Sequence, residues 1–206
     1  MRRILTILFC TLLLSTNYSV AAQIFPTEEV KLIREDANAG DPAAQHFLGM
    51  LYSNGQVKGQ FRGEGMFQNY TEAKNWLEKA ATQGYPRSQV ELGAMYLSGL
   101  GVEQNHKKGE SWLKKAALQG EDLALLLLGN IYYFGQGVDK DYALAKSFYE
   151  EAIKKNNSGD GLFYLALMHA TGKGVPKNLK KAKELAGKSC DRGSQLGCDA
   201  YKTLSK

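Results

Sequence analysis

The sequence has few of the residues that catalytic metal sites require. Its 206 residues include only three histidines, His46, His106 and His169, and none has the spacing of a zinc motif such as HExxH. After residue 22, no apolar run approaches the roughly 18 residues that a transmembrane helix needs. The sequence therefore predicts no metal site, no membrane span and no bound cofactor.

Excess charge of one sign is also lacking over most of the chain. Without Arg2 and Arg3, which precede the first apolar run, 24 basic residues face 21 acidic ones, a net charge of +3. That balance argues against nucleic acid as a partner. The exception is 171–206, where nine Lys and Arg residues face only Glu184, Asp191 and Asp199. We interpret this segment as a solvated outer face, and attraction to an acidic partner or anionic surface is the alternative.

The first 22 residues have the pattern of a secretory signal peptide. Two arginines precede the short apolar run Ile4–Leu14, and Val20–Ala22 supplies small residues for cleavage near Ala22. The mature chain is therefore expected to begin near Gln23 and to function in the periplasm or outside the cell.

Cysteine is scarce, and cleavage would make it scarcer. Cys10 leaves with the signal peptide, whereas Cys190 and Cys198 remain. An even number of cysteines in a chain sent to an oxidising compartment predicts a disulfide between Cys190 and Cys198.

The mature sequence repeats with a period of about 36 residues. Two markers recur, a small residue and a large apolar residue. The small residue is Gly49, Gly93, Gly129 or Ala166, and successive members are 44, 36 and 37 residues apart. The large residue is Trp76, Trp112, Phe148 or Leu185, and successive members are 36, 36 and 37 residues apart. Because two independent markers keep one period, the sequence predicts a stacked repeat array.

Each repeat contains two blocks with helical periodicity. In the first block, Ala44, Leu48 and Leu51 form one apolar stripe, and in the second block Ala73 and Leu77 do the same. Neither helix can bury its stripe alone, so neighbouring repeats must supply the core. We predict ten helices, in repeats at 41–84, 85–120, 121–157 and 158–193, with a lone second-type helix at 28–40 and a capping helix at 194–206.

The motifs SQVELGAMYLSGLGV and GESWLKKAALQG resemble the Sel1-like repeat (SLR), a relative of the tetratricopeptide repeat. The resemblance covers nearly all of 23–206. It implies an all-α, right-handed α/α superhelical solenoid of about four helix pairs with half-repeat caps, and a concave face lined by the first helix of each pair. It also implies work as an adaptor, scaffold or inhibitor that binds a protein or peptide.

The C-terminal segment GVPKNLKKAKELAGKSCDRGSQLGCDAY resembles bacterial cysteine-rich SLR proteins in particular. In that family a cysteine late in one second helix bonds a cysteine early in the next first helix. The resemblance therefore implies that a Cys190–Cys198 bond fastens the terminal helix, with a stabilisation of about 2–3 kcal/mol.

The side of each first helix opposite its core stripe is mostly apolar. We call these positions the inner ribbon and expect them to contact a partner, because a contiguous exposed apolar surface usually marks a binding site. The alternative is that curvature of the array buries them against one another. The inner ribbon comprises His46, Met50, Ser53, Val90, Ala94, Leu97, Leu126, Asn130, Tyr133, Phe163, Leu167 and Ala170.

The first repeat carries eight extra residues, in the region 56–69. Phe61, Met66 and Phe67 lie there among glycines and charges. Large apolar side chains in a long loop indicate a second contact with the partner, and a flexible tip without function is the alternative.

Catalysis is the competing class of function. Ser111 and Lys114 have the spacing of the Ser-x-x-Lys motif of penicillin-recognising enzymes, and some cysteine-rich SLR proteins carry a β-lactamase label. No SDN or KTG motif accompanies the pair. We therefore favour a secreted protein-binding module, for example an immunity protein against a periplasm-delivered toxin, without catalytic residues, and β-lactamase or penicillin-binding activity is the alternative.

Overall fold

The computed structural model describes residues 27–55 and 68–206, and within these ranges it contains ten helices and no strand. They form four pairs with one further helix at each end, which confirms the predicted all-α architecture. The predicted signal peptide and the loop residues Phe61, Met66 and Phe67 lie outside the described residues. The helices are α1 (Thr27–Asn38), α2 (Pro42–Ser53), α3 (Tyr70–Thr82), α4 (Pro86–Ser98), α5 (His106–Leu118), α6 (Asp122–Phe134), α7 (Tyr142–Asn156), α8 (Gly159–Thr171), α9 (Leu179–Asp191) and α10 (Gln195–Thr203).

The second helix of every repeat begins at an asparagine or aspartate. The side chain of this residue accepts a hydrogen bond from the third N–H of the helix, and it is Asn69, Asn105, Asp141 or Asn178. Such caps satisfy a backbone donor that has no partner inside the helix. The first helices α4 and α6 end just before Gly99 and Gly135, whose positive φ angles of 75° and 73° suit glycine.

The small marker residue lets the two helices of a pair approach closely. A Cβ atom on Gly49 would lie 2.7 Å from Cγ of Leu77, and one on Gly93 would lie 2.9 Å from Cγ of Leu113. Each glycine therefore receives the leucine of its partner helix, as the recurring small residue predicts.

Buried glutamines connect each of the first two repeats to the helix before it. Gln45 donates to the carbonyl oxygen of Ala37 over 3.0 Å, and Gln89 donates to that of Ala81 over 3.2 Å. Their own oxygens accept from Gln83 and Gln119. Since a buried amide is costly without partners, these bonds fix the stacking register of the first two repeats.

Leucines and tyrosines fill the core between the helices. Leu48, Leu92, Leu113 and Leu128 are fully buried, and the largest apolar cluster extends across repeats two to four, with Tyr149 inside it. Burial of each large side chain contributes about 1.5–3 kcal/mol. The stacking of repeats thus supplies the core that no single repeat can form.

The C-terminal end of the array is closed differently from its interior. Cys190 in α9 and Cys198 in α10 form a disulfide with a Cα–Cα distance of 4.4 Å. Lys202 occupies the position in α10 that is glycine or alanine in α2, α4, α6 and α8, and it is exposed. A lysine there prevents the close approach of another second helix, so α10 acts as a cap.

Candidate functional site

The inner ribbon is closed in the middle of the array. Val90, Leu126 and Tyr133 have exposed fractions of only 3%, 5% and 3%, and all three belong to the largest core cluster. The expectation that these side chains face a partner is therefore corrected: repeats on both sides cover them. The Tyr133 hydroxyl also forms a hydrogen bond, since it lies 3.1 Å from Oγ1 of Thr171.

Two further ribbon residues are half-buried by structural contacts. Leu97 points toward its own second helix, where a Cβ on Gly109 would lie 2.8 Å from its Cγ. Asn130 accepts a hydrogen bond from the Tyr149 hydroxyl over 2.8 Å and donates to the Tyr164 hydroxyl over 2.9 Å. The rings of Tyr149 and Tyr164 stack with centroids 4.8 Å apart. Asn130 therefore ties two repeats together.

Around Tyr149, burial has an electrostatic consequence. Burial of the hydroxyl, with smaller effects from Tyr164 and Tyr133, raises the pKa of Tyr149 well above its ordinary value. The phenol stays protonated and keeps donating to Asn130. This cluster is suited to holding repeats three and four together.

His46 lies at the N-terminal part of the ribbon, where it is half-buried. Its Nδ1 atom lies 2.9 Å from Oγ of the buried Ser88, and its ring lies against Tyr85 with centroids 5.2 Å apart. Burial, and then the positive charge of Arg87, lower the pKa of His46 to about 4. The imidazole is therefore neutral at neutral pH. Met50 lies one turn further along α2, is half-buried and continues this part of the ribbon.

The ribbon is open at its C-terminal end, where Phe163, Leu167 and Ala170 are only half-buried. Together with α10 they enclose an apolar groove of about 350 Å³, which we call the C-terminal groove. Its lining is Phe163, Ala166, Leu167, Ala170, Leu196, Asp199, Ala200, Thr203 and Leu204. The predicted residues Phe163 and Leu167 are thus brought together in one concave site.

Sequence reasoning missed the half of this groove that α10 supplies. Leu196, 46% exposed, and Leu204 belong to a helix that we predicted only as a cap. A signal was present, because the segment that forms α10 carries leucines near both of its ends, Leu196 and Leu204. The inner ribbon was defined only from the first helices of the four complete repeats, which do not include α10.

Glu91 is a second residue that the analysis missed. It replaces the apolar side chains Phe47, Leu127 and Tyr164 of the other first helices, and burial raises the pKa of its carboxyl group. A charged residue in an otherwise apolar column was readable from the aligned repeats.

In the Ser-x-x-Lys pair, the contacts of the lysine do not suit a catalytic base. Lys114 forms an ion pair with Glu110 at 2.7 Å, and this hydrogen bond raises the pKa of Lys114 above its ordinary value. Tyr132 also donates to the same carboxylate. A lysine base must lose its proton, so these contacts oppose the role that a β-lactamase mechanism would give Lys114.

In the described part of the chain, no three His, Cys, Asp or Glu residues lie close enough together to hold a metal ion. None of the helices there is both long and apolar enough to cross a membrane.

The chain belongs to the Sel1 repeat family. The family model matches residues 42–85, 86–121, 122–157 and 159–194, and each matched range contains one of the helix pairs described above. Sel1 repeat proteins mediate protein–protein interaction. Among curated proteins, none matches the chain.

Solved structures with the same repeat resemble the chain over most of its length. A Sel1 repeat protein from Oxalobacter formigenes is 26% identical, with a TM-score of 0.71, and the match covers 82% of this chain and 66% of that one. The protective antigen c5321 of uropathogenic Escherichia coli, with an SLR fold, is 28% identical, with a TM-score of 0.58, over 82% of this chain and 42% of that one. This chain thus spans less than two thirds of either relative.

A third similar structure is the cysteine-rich protein B of Helicobacter pylori. It is 34% identical, with a TM-score of 0.47, and the match covers 61% of this chain and 95% of that one.

Proposed function

We propose that the protein binds a segment of another protein in the C-terminal groove and acts as an adaptor or inhibitor. The observation that carries the proposal is the groove itself: Phe163 and Leu167 of α8 face α10 across a space of about 350 Å³ lined almost wholly by apolar side chains. Apolar concave surfaces of this kind favour a partner's aliphatic or aromatic anchor.

We further propose that this takes place in the periplasm or outside the cell. The N-terminal arginines, apolar run and small residues before Gln23 support export, and the Cys190–Cys198 disulfide supports an oxidising compartment. An immunity protein that blocks a secreted toxin is one form that such an inhibitor would take. Cell fractionation and the mass of the mature chain test the location.

Affinity capture with matched variants tests the binding role. Leu167→Asp places a charge in the groove, whereas Leu118→Asp changes a leucine that is 85% exposed on α5, outside the groove. We expect one stoichiometric protein, identified by mass spectrometry, to bind the unaltered chain and the Leu118 variant and to be lost with the Leu167 variant. Equal capture by both variants would show that the groove is not the binding site.

A further inference from the structure

The C-terminal groove is lined in part by the strongly basic segment of the described residues. The described residues up to 170 contain 13 Lys and Arg residues and 17 Asp and Glu residues, a net charge of −4. Residues 171–206 contain nine basic and three acidic residues, a net charge of +6. Such a separation creates a local positive potential that attracts acidic partners and speeds their association.

Three of these cations follow residues of the groove lining closely in sequence, and we call them the basic rim: Lys173, Lys202 and Lys206. Lys173 follows the end of α8, and its Nζ atom lies 5.3 Å from the ring centroid of the inner-ribbon residue Tyr133. Lys202 directly precedes the lining residues Thr203 and Leu204, and Lys206 follows them. All three are exposed, and none forms an ion pair with a described residue.

Helix stabilisation does not account for the basic rim. Cations are favourable near the C-terminus of any helix, yet α2, α4 and α6 have no basic residue in their last turn. The residues equivalent to Lys173 in the two preceding repeats are Leu100 and Gln136. The lysines thus accompany the groove and are absent from the equivalent ends of the closed repeats.

The groove lining also contains one acidic residue. Asp199 is the one acidic residue of its lining, and it lies a full turn before Thr203 in α10, on the side of Leu196. A carboxylate of an occupant is therefore attracted by the basic rim and repelled by Asp199.

We propose that the occupant of the groove is an acidic peptide segment of a partner protein, with apolar anchors between α8 and α10 and Asp or Glu side chains at the basic rim. This inference rests on the proposed function of the groove and adds the chemistry of the partner. The apolar lining selects leucine- or phenylalanine-like anchors, and the rim selects the carboxylates next to them.

The test uses a random peptide library selected on the full chain, followed by kinetics of the enriched peptides at several salt concentrations. We expect the enriched peptides to combine Leu or Phe with Asp or Glu. The triple variant Lys173→Gln, Lys202→Gln, Lys206→Gln should weaken their affinity by about tenfold or more at low salt, mostly through slower association. The matched control Lys146→Gln, Lys154→Gln, Lys155→Gln removes the same charge from α7 and should have a much smaller effect.

Failure of the inference is distinguishable from failure of the proposed function. If Leu167→Asp abolishes peptide binding but the rim variant binds as well as the control, the groove is a binding site and the acidic partner is wrong. If Leu167→Asp has no effect, the proposed function itself fails. Binding to phosphatidylglycerol vesicles that is lost with the rim variant, without enrichment of acidic peptides, would overturn the inference in favour of a membrane surface.

Discussion

The middle and the C-terminal end of the inner ribbon differ although they belong to equivalent helices. In repeats two and three the side chains of Val90, Leu126 and Tyr133 are buried, whereas Phe163 and Leu167 in repeat four line an accessible groove. Large side chains at these positions therefore do not by themselves create a binding surface. Whether they are exposed depends on what the next first helix places beside them.

The side chains of α10 explain the opening. Asp199 and Thr203 occupy the positions that Phe163 and Leu167 occupy in α8, and they are shorter or polar. They cannot fill the space that a further pair of large apolar residues would fill, so a groove remains. The end of a repeat array is thus a natural place for a concave site, because the packing that closes its interior is missing there.

Ion pairs show the same contrast. In the interior, the pairs Lys74–Glu78 and Lys146–Glu150 match one cation with one carboxylate. In α9, the single carboxylate of Glu184 contacts two ammonium groups, and hydrogen bonds from Lys188 and then Lys181 lower its pKa to about 2. Such exposed pairs contribute little stability. The second lysine has no carboxylate of its own, so it adds to the positive net charge of residues 171–206.

The largest expected effect comes from introducing an aspartate at a buried ribbon position and comparing it with an aspartate at an accessible one. Leu126→Asp buries a carboxylate without a partner and should lower the free energy of unfolding by about 4 kcal/mol or more. Leu167→Asp leaves the new carboxylate in contact with solvent at the groove and should cost only about 1 kcal/mol. Chemical denaturation monitored by circular dichroism measures both.

This pair also separates folding from binding. Loss of partner capture by the Leu126 variant would report unfolding, so Leu167 is the informative position. Equal destabilisation by the two substitutions would contradict the closed-and-open description of the ribbon. Val90→Asp provides a second interior position with the same expectation as Leu126→Asp.

Removal of the disulfide tests whether the C-terminal end of the array opens independently of its interior. Replacing Cys190 and Cys198 by alanine should lower the free energy of local opening of α10 by about 2–3 kcal/mol, because the covalent bond closes a short loop. Hydrogen exchange should therefore accelerate in α10 and remain unchanged in α6, since distant repeats are only weakly coupled. Equal acceleration in α6 would show that the bond stabilises the whole array.

Fold and site were predictable from the sequence to different degrees. The period and the small residues such as Gly93 are local signals from which we predicted the repeats. The capping residues such as Asn105 formed no part of that prediction, but they are equally local, and each signal recurs at equivalent positions of the structure. They specify helix pairs because the physical requirements, a close approach and a satisfied N–H group, involve one helix and its immediate partner.

The site depends on contacts that a single helix wheel does not contain. Leu126 and Leu167 both lie on the predicted inner side, and only the size of side chains in the following repeat decides that one is buried and the other is half-exposed. The contribution of α10 was likewise not predicted, because the inner ribbon was defined from the four complete repeats. Phe61 and Phe67 lie outside the described residues, so their partner contacts stay a prediction.

The smallest expected effect concerns the N-terminal part of the ribbon, where His46 is neutral beside Ser88 and Tyr85. Its pKa is lowered from 6.5 to about 4 in the folded chain by burial and by Arg87, so protons bind the unfolded chain more tightly. Stability is therefore complete above pH 6.5 and falls as the pH drops toward 4, and the loss between pH 7 and pH 5 is about 1–2 kcal/mol.

Denaturation of the unaltered chain and of His46→Gln across this pH range isolates the contribution of the imidazole. The variant should lack this part of the pH dependence, because glutamine does not titrate. Arg87→Gln should raise the pKa of His46 in the folded chain only slightly, so that the pH-dependent loss of stability becomes slightly smaller. The effect is small because the charge of Arg87 is the second cause of the lowered pKa and burial is the first. If the unaltered chain and His46→Gln lose stability in parallel from pH 7 to pH 5, another group is responsible, and His46 is then as free to take up a proton in the folded chain as in the unfolded one.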